Sequence, residues 1–513
     1  MKVDMNKSIM SCGTGTSFII NNEGVMYATG LNHFNQLGIQ NVKHNCRTQT
    51  CKICLKNMSC EYFMPVCLKE CEADGLSAVS CRLSHVGALS RYDGRFFTWG
   101  DNTRGQLGNG KSCVDAQSPK QVIFYICISG LKCLMPPVAQ VCCGRKHTII
   151  LTQCGRIMTC GDNAYGQLGV GEIIGLEKSD FFVDVKQHLL EFFANEFPIV
   201  QYVQAGDDVC AIITNDNKLM TWGLGTSLQL GYMPENTMIS RGIQFVPRTV
   251  LYRTLDSDGQ KVFINLLIST ISFGSDHTAC ISLDQNIYTW GTNTSGKLGN
   301  GNRTSNLFPC VACTPNILQA VPIIVSCGGF HTLVVTDKKT LWTSGSAKFG
   351  SGHGLFPPCS LLFRQVYIRC KDNKKTNIIG ADAGKTHSLI ITDDNLVLTC
   401  GKMKTSMYRH RKNPLSIDTF DGFGGLGYFR GMASSGHVNT FQTVIQLKDI
   451  MGFGIGFSIL MRKKIETFII GIYFDQTDKQ NDRVYMNDLH SDIIDMIISF
   501  ITEINVPRIR SFE

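Results

Sequence analysis

The stretch Tyr288-Thr-Trp-Gly291-Thr-Asn293-Thr-Ser-Gly296-Lys-Leu298-Gly299 recurs along the chain. Its first glycine lies eight residues before the glycine of a Leu-Gly pair, and the same spacing is found in four other places. Two of these copies are close, and two are fainter. They are Thr98 to Gly108, Thr159 to Gly169, Ala28 to Gly38 and Thr221 to Gly231. A fixed internal period indicates a repeat architecture.

A second element of the repeat lies upstream. His147, His277, His331 and His387 each precede the glycine of their unit by 14 residues, and His85 precedes its glycine by 15. In the first and fourth units, this place is taken by Thr16 and Val209. Between histidine and glycine, two short alternating segments flank a turn, as in 149–152 and 157–159. This pattern predicts one β-hairpin in every unit.

The repeat glycines follow one another at intervals of 54 to 70 residues. They are Gly30, Gly100, Gly161, Gly223, Gly291, Gly345 and Gly401, with a weaker eighth match at Gly471. About four strands fit in each interval, and one such sheet cannot bury both of its faces alone. We therefore expect an all-β protein, a seven-bladed β-propeller of four-stranded blades, in which an eighth hairpin near Gly471 either closes the ring or lies outside it. An eight-bladed ring is the alternative.

Three submotifs in register carry a family resemblance: Cys143-Gly-x-x-His147-Thr, Tyr288-x-Trp-Gly-x-Asn293 and Gly105-Gln-Leu-Gly108. Together they resemble the regulator of chromosome condensation repeat family, whose members are seven-bladed propellers. The resemblance covers residues 1–475, which we assign to the propeller. The sixth unit departs from it by lacking Leu-Gly, and the seventh delays Leu426-Gly427 until after a basic insertion.

The composition is that of a globular protein. Of 513 residues, 43% are hydrophobic and 18% are charged, and the formal net charge is +8. The first ten residues lack the apolar core of a secretory signal, and the apolar run 450–461 is too short to span a bilayer. We expect a monomer of the cytoplasm or nucleus, with no membrane association and mostly reduced cysteines.

A cysteine-rich insertion, residues 39–80, interrupts the first units. Cys51 and Cys54 have the two-residue gap that lets both thiolates reach one zinc ion. Cys46 and Cys60 are candidates for the other two ligands, alongside His44, Cys67 and Cys71. A second Cys-x-x-Cys pair is missing, so the alternative is an insertion with free thiols. No other cofactor is predicted.

No arrangement of residues typical of catalysis is found. Gly380 to Thr386 is one residue short of the P-loop spacing and is in register with the repeat. The recurring histidines occur once per unit near the start of a strand, which favours a structural role. We therefore predict a protein that is not an enzyme and acts as a protein-interaction scaffold.

The resemblance also implies a function, since the family includes an exchange factor for the small GTPase Ran. An aspartate in a Gly-x-Asp-His loop and a histidine in a Gly-Gly-x-His loop are important there. The matching segments here are Gly274-Ser-Asp276-His277 and Gly328-Gly-Phe-His331. Asp207 and Asp208 are rival carboxylates in the fourth unit. Guanine-nucleotide exchange on a Ran-type GTPase is thus one functional hypothesis.

The C-terminal segment 476–513 suggests another. Apolar residues recur there at helical spacing, which predicts a short helix that Asp488 can cap. They are Leu489, Ile493, Ile494, Ile497 and Ile498, followed by Ile501. The segment resembles the first half of an F-box, which binds a ubiquitin-ligase adaptor, and the propeller would then recognise substrates. A chromatin or nucleic-acid partner would need a stronger basic patch than 371–375 and 409–412.

Overall fold

The computed structural model describes residues 9–39, 59–66, 75–111, 116–127, 129–172, 176–189, 197–234, 242–255, 258–352, 359–366, 377–393, 396–401 and 438–446. Backbone contacts divide the chain into two units, and every described residue lies in the first, Met1–Gly425 with Met432–Gly456. In this described part, no helix has the length and apolar character needed to cross a membrane.

The described residues form seven blades, each of four sequential antiparallel strands, as predicted. In the third blade, a preceding hairpin extends the sheet to six strands, and its first strand pairs in parallel with the fourth strand of the blade. The strands of the first four blades are as follows. Blade 1 contains β1 (Met10–Cys12), β2 (Thr16–Ile20), β3 (Met26–Leu31) and β4 (Ser59–Pro65); blade 2 contains β5 (Leu76–Cys81), β6 (His85–Ser90), β7 (Phe96–Gly100) and β8 (Ala116–Gln121). After the hairpin β9 (Phe124–Ile126) and β10 (Lys132–Leu134), blade 3 contains β11 (Val138–Cys143), β12 (His147–Thr152), β13 (Ile157–Asp162) and β14 (Lys178–Asp184); blade 4 contains β15 (Val200–Ala205), β16 (Val209–Thr214), β17 (Leu219–Leu224) and β18 (Ile243–Thr249).

The remaining strands continue the pattern. After a second hairpin, β19 (Leu251–Leu255) and β20 (Lys261–Asn265), blade 5 contains β21 (Ile268–Phe273), β22 (His277–Ser282), β23 (Ile287–Gly291) and β24 (Asn306–Cys313); blade 6 contains β25 (Pro322–Cys327), β26 (His331–Thr336), β27 (Leu341–Ser346) and β28 (Cys359–Val366); blade 7 contains β29 (Ile378–Ala383), β30 (His387–Thr392), β31 (Leu396–Gly401) and β32 (Val438–Gln446). Helices in the described part are limited to α1 (Val185–Leu189), α2 (Pro315–Leu318) and a 3-10 turn (Ala347–Phe349).

Hairpin register explains the spacing between histidine and glycine. The second and third strands of each blade are paired. The first residue of the second strand lies directly opposite the repeat glycine in the third strand, as His277 does opposite Gly291. Gly291 has φ = 101°, and a Cβ there would lie 2.6 Å from the Cα of His277. Only glycine fits this close approach. The predicted hairpins and four-stranded blades are confirmed.

Within the described ranges, the hydrophobic core forms seven clusters, each between two neighbouring blades. Trp99, Trp222 and Trp290 are fully buried in three of them. Each indole N–H donates to the main-chain carbonyl of the glutamine that precedes Leu-Gly in the blade before, as Trp290 does to Gln229 at 2.8 Å. The Trp-Gly and Gln-Leu-Gly submotifs recur together because they meet at the joint between blades.

The sixth unit, which lacks Leu-Gly, reaches the same arrangement by another route. The 3-10 turn Ala347–Phe349 presents the carbonyl of Gly350 to blade 7. Ser388 Oγ donates to this carbonyl at 2.7 Å, and Cys400 Sγ lies 3.1 Å from it. The carbonyl of Gly350 therefore replaces that of the usual glutamine.

Blade 7 packs directly on blade 1 and closes the ring. The main-chain N–H of Cys12 donates to Asp382 Oδ2 at 2.6 Å, and Ser17 Oγ lies 2.9 Å from His387 Nε2. Asp382 occupies the place where Ser11, Ser80, Ser272 and Ser326 accept the same main-chain hydrogen bond in other blades. The ring therefore has seven blades, which confirms the first of the two alternatives. The weaker eighth match near Gly471 lies outside the described residues.

Candidate functional site: the loop face around the central channel

In every blade, the loop between the first and second strands lies at the same end of the propeller. We call these loops the loop face; they are residues 13–15, 82–84, 144–146, 206–208, 274–276, 328–330 and 384–386. Residues of six blades, including Arg82, Asp207, Ser275 and Lys385, line one opening, which places it on the central axis. Main-chain hydrogen bonds join neighbouring loops, such as Thr14 N to Arg82 O at 2.7 Å. The loop face is thus a ring that a partner can contact as one surface.

The recurring histidines lie just behind the loop face and join the blades. His277 Nε2 is 2.9 Å from Thr332 Oγ1, and the same hydroxyl donates to the carbonyl of Lys297 at 2.8 Å. Since the hydroxyl hydrogen is used in that bond, Nε2 of His277 must be the donor. His85, His147, His331 and His387 make the corresponding contact with Thr148, Cys210, Ser388 and Ser17.

Burial keeps these imidazoles neutral. It lowers the pKa of His331 to about 3 and holds the pKa of His277 well below its ordinary value, with the neighbouring Lys297 as a second cause. Neither ring has any exposed surface. A partner contact predicted for His277 and His331 can therefore involve only the loops that they anchor, and the structural interpretation of the histidines fits the geometry.

Asp276 reaches the surface but already has partners inside the propeller. Its carboxylate bonds to the ammonium of Lys297 and to the hydroxyl of Thr292. The Lys297 side chain is 1% exposed and that of Asp276 is 33% exposed. Lys297 stands where the first four units have Gln36, Gln106, Gln167 and Gln229. Asp276 therefore neutralises a buried cation that only this blade carries at that position, and one side of its carboxylate remains open to solvent.

Asp207 accepts a hydrogen bond from across the channel. Arg82 of blade 2 extends to blade 4, where its Nε lies 2.7 Å from Asp207 Oδ1. The same guanidinium donates to the carbonyls of Phe273 and Gly274 in blade 5, at 2.8 and 2.6 Å. Blades 4 and 5 meet where Val209 replaces the histidine, so Arg82 links two blades that lack the histidine contact and are otherwise joined through Trp290 and Gln229. The Asp207 side chain stays 26% exposed.

Asp208, the other predicted carboxylate, is nearly buried at 7% exposure and bonds to the guanidinium of Arg145. Burial raises the pKa of Asp208 to about 6, Arg145 opposes this shift, and the Asp207 carboxylate adds to it. The structure thus brings Asp207, Asp208 and Asp276 to one face. Asp207 and Asp276 are the two that offer surface to a partner.

Sequence reasoning missed the cations that hold these carboxylates. Lys297 could have been found from the sequence, because a lysine at a position that is glutamine in the first four units needs a nearby carboxylate. Arg82 could not have been found in this way, because its partners lie 125 to 192 residues away and are reached only through the closed ring.

The other predicted sites fall largely outside the described residues. Cys46, Cys51 and Cys54 lie there, as do the side chain of Cys60 and the tail residues Leu489, Ile493, Ile494, Ile497 and Ile498. Within the stretch 39–80, Ser59–Pro65 and Leu76–Cys81 are blade strands, so the segment additional to the blades is shorter than predicted. Among the described residues, no cluster of histidine, cysteine and carboxylate side chains is arranged for a metal ion. Zinc binding and the tail helix remain predictions.

Two family models match the chain. The model "Regulator of chromosome condensation (RCC1) repeat" matches residues 93–151 and 284–335, and a second RCC1 repeat model matches 138–167 and 268–297. The matched segments cover strands of blades 2, 3, 5 and 6, including the histidine joints His147, His277 and His331.

Among curated proteins, the Ultraviolet-B receptor UVR8 of Arabidopsis thaliana is 27% identical over 343 residues, which are 66% of this chain and 68% of the receptor. The human X-linked retinitis pigmentosa GTPase regulator is 30% identical over 355 residues, 67% of this chain and 29% of that protein. Human probable E3 ubiquitin-protein ligase HERC6 is 31% identical over 270 residues, which are 53% of this chain and 22% of that protein. The chain therefore spans less than a third of the last two relatives.

Solved structures agree on the fold. Human WBSCR16 superposes with a TM-score of 0.57 at 19% identity, covering 76% of this chain and 87% of that one. Prp20p from Saccharomyces cerevisiae superposes with a TM-score of 0.55 at 17% identity, covering 74% of this chain and 81% of that one. The protein is a repeat propeller whose histidine, tryptophan and Gln-Leu-Gly residues form the joints between blades. It is an RCC1-like propeller, as the resemblance implied.

Proposed function

We propose that the loop face binds a partner protein and that this partner is a small GTPase whose activity the chain regulates. The observation that carries the proposal is the pair of half-open carboxylates, Asp207 and Asp276, beside the channel opening. The human relative at 30% identity is named a GTPase regulator, and Prp20p has been studied for its binding to Gsp1p and histones. The chain would act by binding, with no chemistry of its own.

The finer proposal is nucleotide exchange on a Ran-type GTPase. A carboxylate presented to the nucleotide site of a GTPase competes with the phosphates for their lysine or magnesium ion and so loosens the nucleotide. Asp276 is held by Lys297 and Thr292, which fix its position before binding. A carboxylate fixed in this way loses little conformational freedom when a partner binds.

The release of a fluorescent GDP analogue from Ran, measured with and without the full chain, tests the finer proposal. We expect the chain to accelerate release and the double variant Asp276→Ser with Lys297→Gln to lose the acceleration. The double variant removes the carboxylate and the buried cation together, so that neither is left unpaired. Asp284→Asn, in the turn at the opposite end of blade 5, is the matched control and should exchange normally. Equal rates for the double variant and the control would contradict the role of Asp276.

A second candidate function is substrate recognition for a ubiquitin ligase. It is favoured by the 31% identity to HERC6, a probable ubiquitin-protein ligase, over 270 residues. The predicted tail helix with Ile493 and Ile497 would bind the ligase adaptor. An affinity pull-down from cell extract, comparing the full chain with one ending at Gln480, separates the two functions. Ligase components captured only by the full chain support recognition, whereas a GTPase captured by both, most strongly without nucleotide, supports regulation.

We further propose that the chain acts as a monomer in the cytoplasm or nucleus. The 15 cysteines whose side chains the structure describes are free thiols, and most of them are buried within strands. Free thiols in this number are typical of a reducing compartment.

A further inference from the structure

Large exposed apolar side chains are concentrated at the hairpin β19–β20 and the adjoining parts of blade 5. The hairpin adds strands beyond the blade pattern, between β18 and β21. Seven apolar side chains there are between 37% and 62% exposed, and we call them the rim patch. They are Leu251, Leu255, Phe263, Ile264, Leu267, Leu283 and Val311. Single exposed apolar residues are normal, but a concentration of this kind marks an interaction site.

The rim patch is continuous across the hairpin and the blade. The main-chain N–H of Leu283 donates to the carbonyl of Leu267 at 3.0 Å, so these two residues are neighbours. The ring of Phe263 lies 5.4 Å from the ring of Phe308 in β24. Strand β19 runs alongside β24, which carries Val311. By the strand register, Phe263 lies on one face of the hairpin and Ile264 on the other, so the exposed side chains flank the edge of β20 on both sides.

One face of the hairpin packs on blade 5 through Tyr252, and the opposite face is exposed apart from the contact of Phe263 with Phe308. Tyr252 stacks edge-on against Tyr288, with ring centroids 5.0 Å apart. On the opposite face, the strand register brings six residues together as three cross-strand pairs, and all six are exposed. The pairs are Leu251 with Asn265, Arg253 with Phe263, and Leu255 with Lys261.

The outer strand of the hairpin has an open edge. Strand β20, Lys261-Val-Phe-Ile-Asn265, pairs with β19 on one side and with no other strand of the described residues. Its register is regular, without a bulge, and it contains no proline. Alternate N–H and C=O groups along it therefore point away from β19, and such an edge is a template for a further strand.

The charge of the hairpin strands is positive only. Arg253 and Lys261 are both exposed on the outward face, and neither strand contains a carboxylate. The sequence places Asp256 and Asp258 between the two strands, and Asp284 on the neighbouring turn of blade 5 is bound by Ser282 and Asn286. A segment that adds to this edge would match it best with apolar side chains and negative charge.

We propose that β20 accepts an extended segment of a partner protein as an added β-strand, with apolar residues at alternate positions and carboxylates between them. Main-chain hydrogen bonds to the open edge would give affinity, while Phe263, Ile264 and the two cations would select the sequence. The hairpin follows the end of β18 that is distant from the loop face, so the rim patch and the loop face are separate surfaces.

A labelled peptide of about ten residues, alternating valine and glutamate, tests the proposal by fluorescence anisotropy with the full chain. We expect saturable binding, and none for a peptide that alternates valine and lysine. The double variant Arg253→Glu with Lys261→Glu should weaken binding of the glutamate peptide by at least about tenfold and gain binding of the lysine peptide. The matched control, Lys132→Glu in the other hairpin, should behave as the unmodified chain.

Hydrogen exchange locates the added strand, because a bound peptide should slow exchange of alternate amides within residues 261–265. Three results would overturn the proposal. These are absence of saturable binding, equal affinity of the glutamate peptide for the charge-reversed variant, and a concentration-dependent dimer in sedimentation that Phe263→Ser abolishes. The last result would mean that a second copy of the chain covers the rim patch.

Discussion

Two adjacent positions of the repeat differ in how uniform they are from blade to blade. The first residue of the second strand is histidine in five of seven blades, and it is buried wherever it occurs. The residue before it varies in charge and size, and is Gly15, Ser84, Lys146, Asp208, Asp276, Phe330 or Thr386. The buried position must match the next blade, whereas the loop position has no such requirement. The histidine position therefore serves the fold, and the residue before it differs from blade to blade.

The joints themselves show what happens when the histidine is absent. Between blades 1 and 2, Thr16 Oγ1 makes a 3.9 Å contact with the sulfur of Cys81. Between blades 4 and 5, where Val209 stands, the guanidinium of Arg82 bridges both blades from across the channel. At both places where the histidine contact is absent, another polar side chain lies between the two blades.

Lowering the pH should have the largest effect on the joints, because it acts on all buried histidines together. Burial lowers the pKa of His85 and His387 to about 4 and of His147 and His331 to about 3. In the unfolded chain a histidine titrates near 6.5, so the unfolded state binds more protons below that pH. The stability contribution is complete above about pH 6.5 and falls as the pH decreases toward 4, by up to about 1.4 kcal/mol per pH unit for each histidine.

We expect the urea midpoint of unfolding to fall steeply between pH 7 and pH 5. Asp208 and Asp382 act in the opposite direction, because burial raises the pKa of Asp208 to about 6 and also raises the pKa of Asp382, but they are two groups against five histidines. A midpoint that stays constant over this range would contradict the account of the joints.

The next largest effect is expected at the loop face. Asp276→Ala leaves the ammonium of Lys297, which is 1% exposed, without its carboxylate. Breaking a buried ion pair in this way costs about 3–5 kcal/mol. Adding Lys297→Gln should restore the free energy of unfolding to within about 1 kcal/mol, because glutamine is the residue that the first four units carry there. Chemical denaturation of the three proteins measures this, and no loss in the single variant would show that the pair is not structural.

A smaller effect is expected from a matched pair in blade 7. His387→Ala removes the hydrogen bond to Ser17 that closes the ring and leaves a cavity, with an expected cost of about 2–4 kcal/mol. Lys385→Ala, two residues earlier in an exposed loop position, should change stability by less than about 0.5 kcal/mol. Thermal unfolding compares them, and similar midpoints would remove the distinction between joint and loop.

The fold was largely predictable because the same residue spacings recur in seven units of the sequence. The 14-residue spacing between histidine and glycine reflects a hairpin register, and Trp-Gly recurs with Gln-Leu-Gly because both meet at the joint. The hairpins β9–β10 and β19–β20 were not predicted. Each occurs once, so no internal comparison marks it as regular structure.

The candidate site was predictable only in part. The sequence pointed to Asp207, Asp208 and Asp276, and the structure places all three on the loop face. Their burial and their partners depend on closure of the ring, which brings Arg82 to Asp207 and Lys297 to Asp276. For His277 and His331, the interpretation as structural residues fits better than direct contact with a partner, because both rings are fully buried. No sequence pattern reports this burial.

The most direct test of the division between joints and loop face is hydrogen–deuterium exchange of the full chain with and without nucleotide-free Ran. We predict slower exchange in residues 206–208, 274–276 and 328–330 when the GTPase is bound, with no change in the hairpin β19–β20. Protection confined to the hairpin or to the turns at the opposite end, or no protection anywhere, would contradict the claim that the loop face is the GTPase-binding surface.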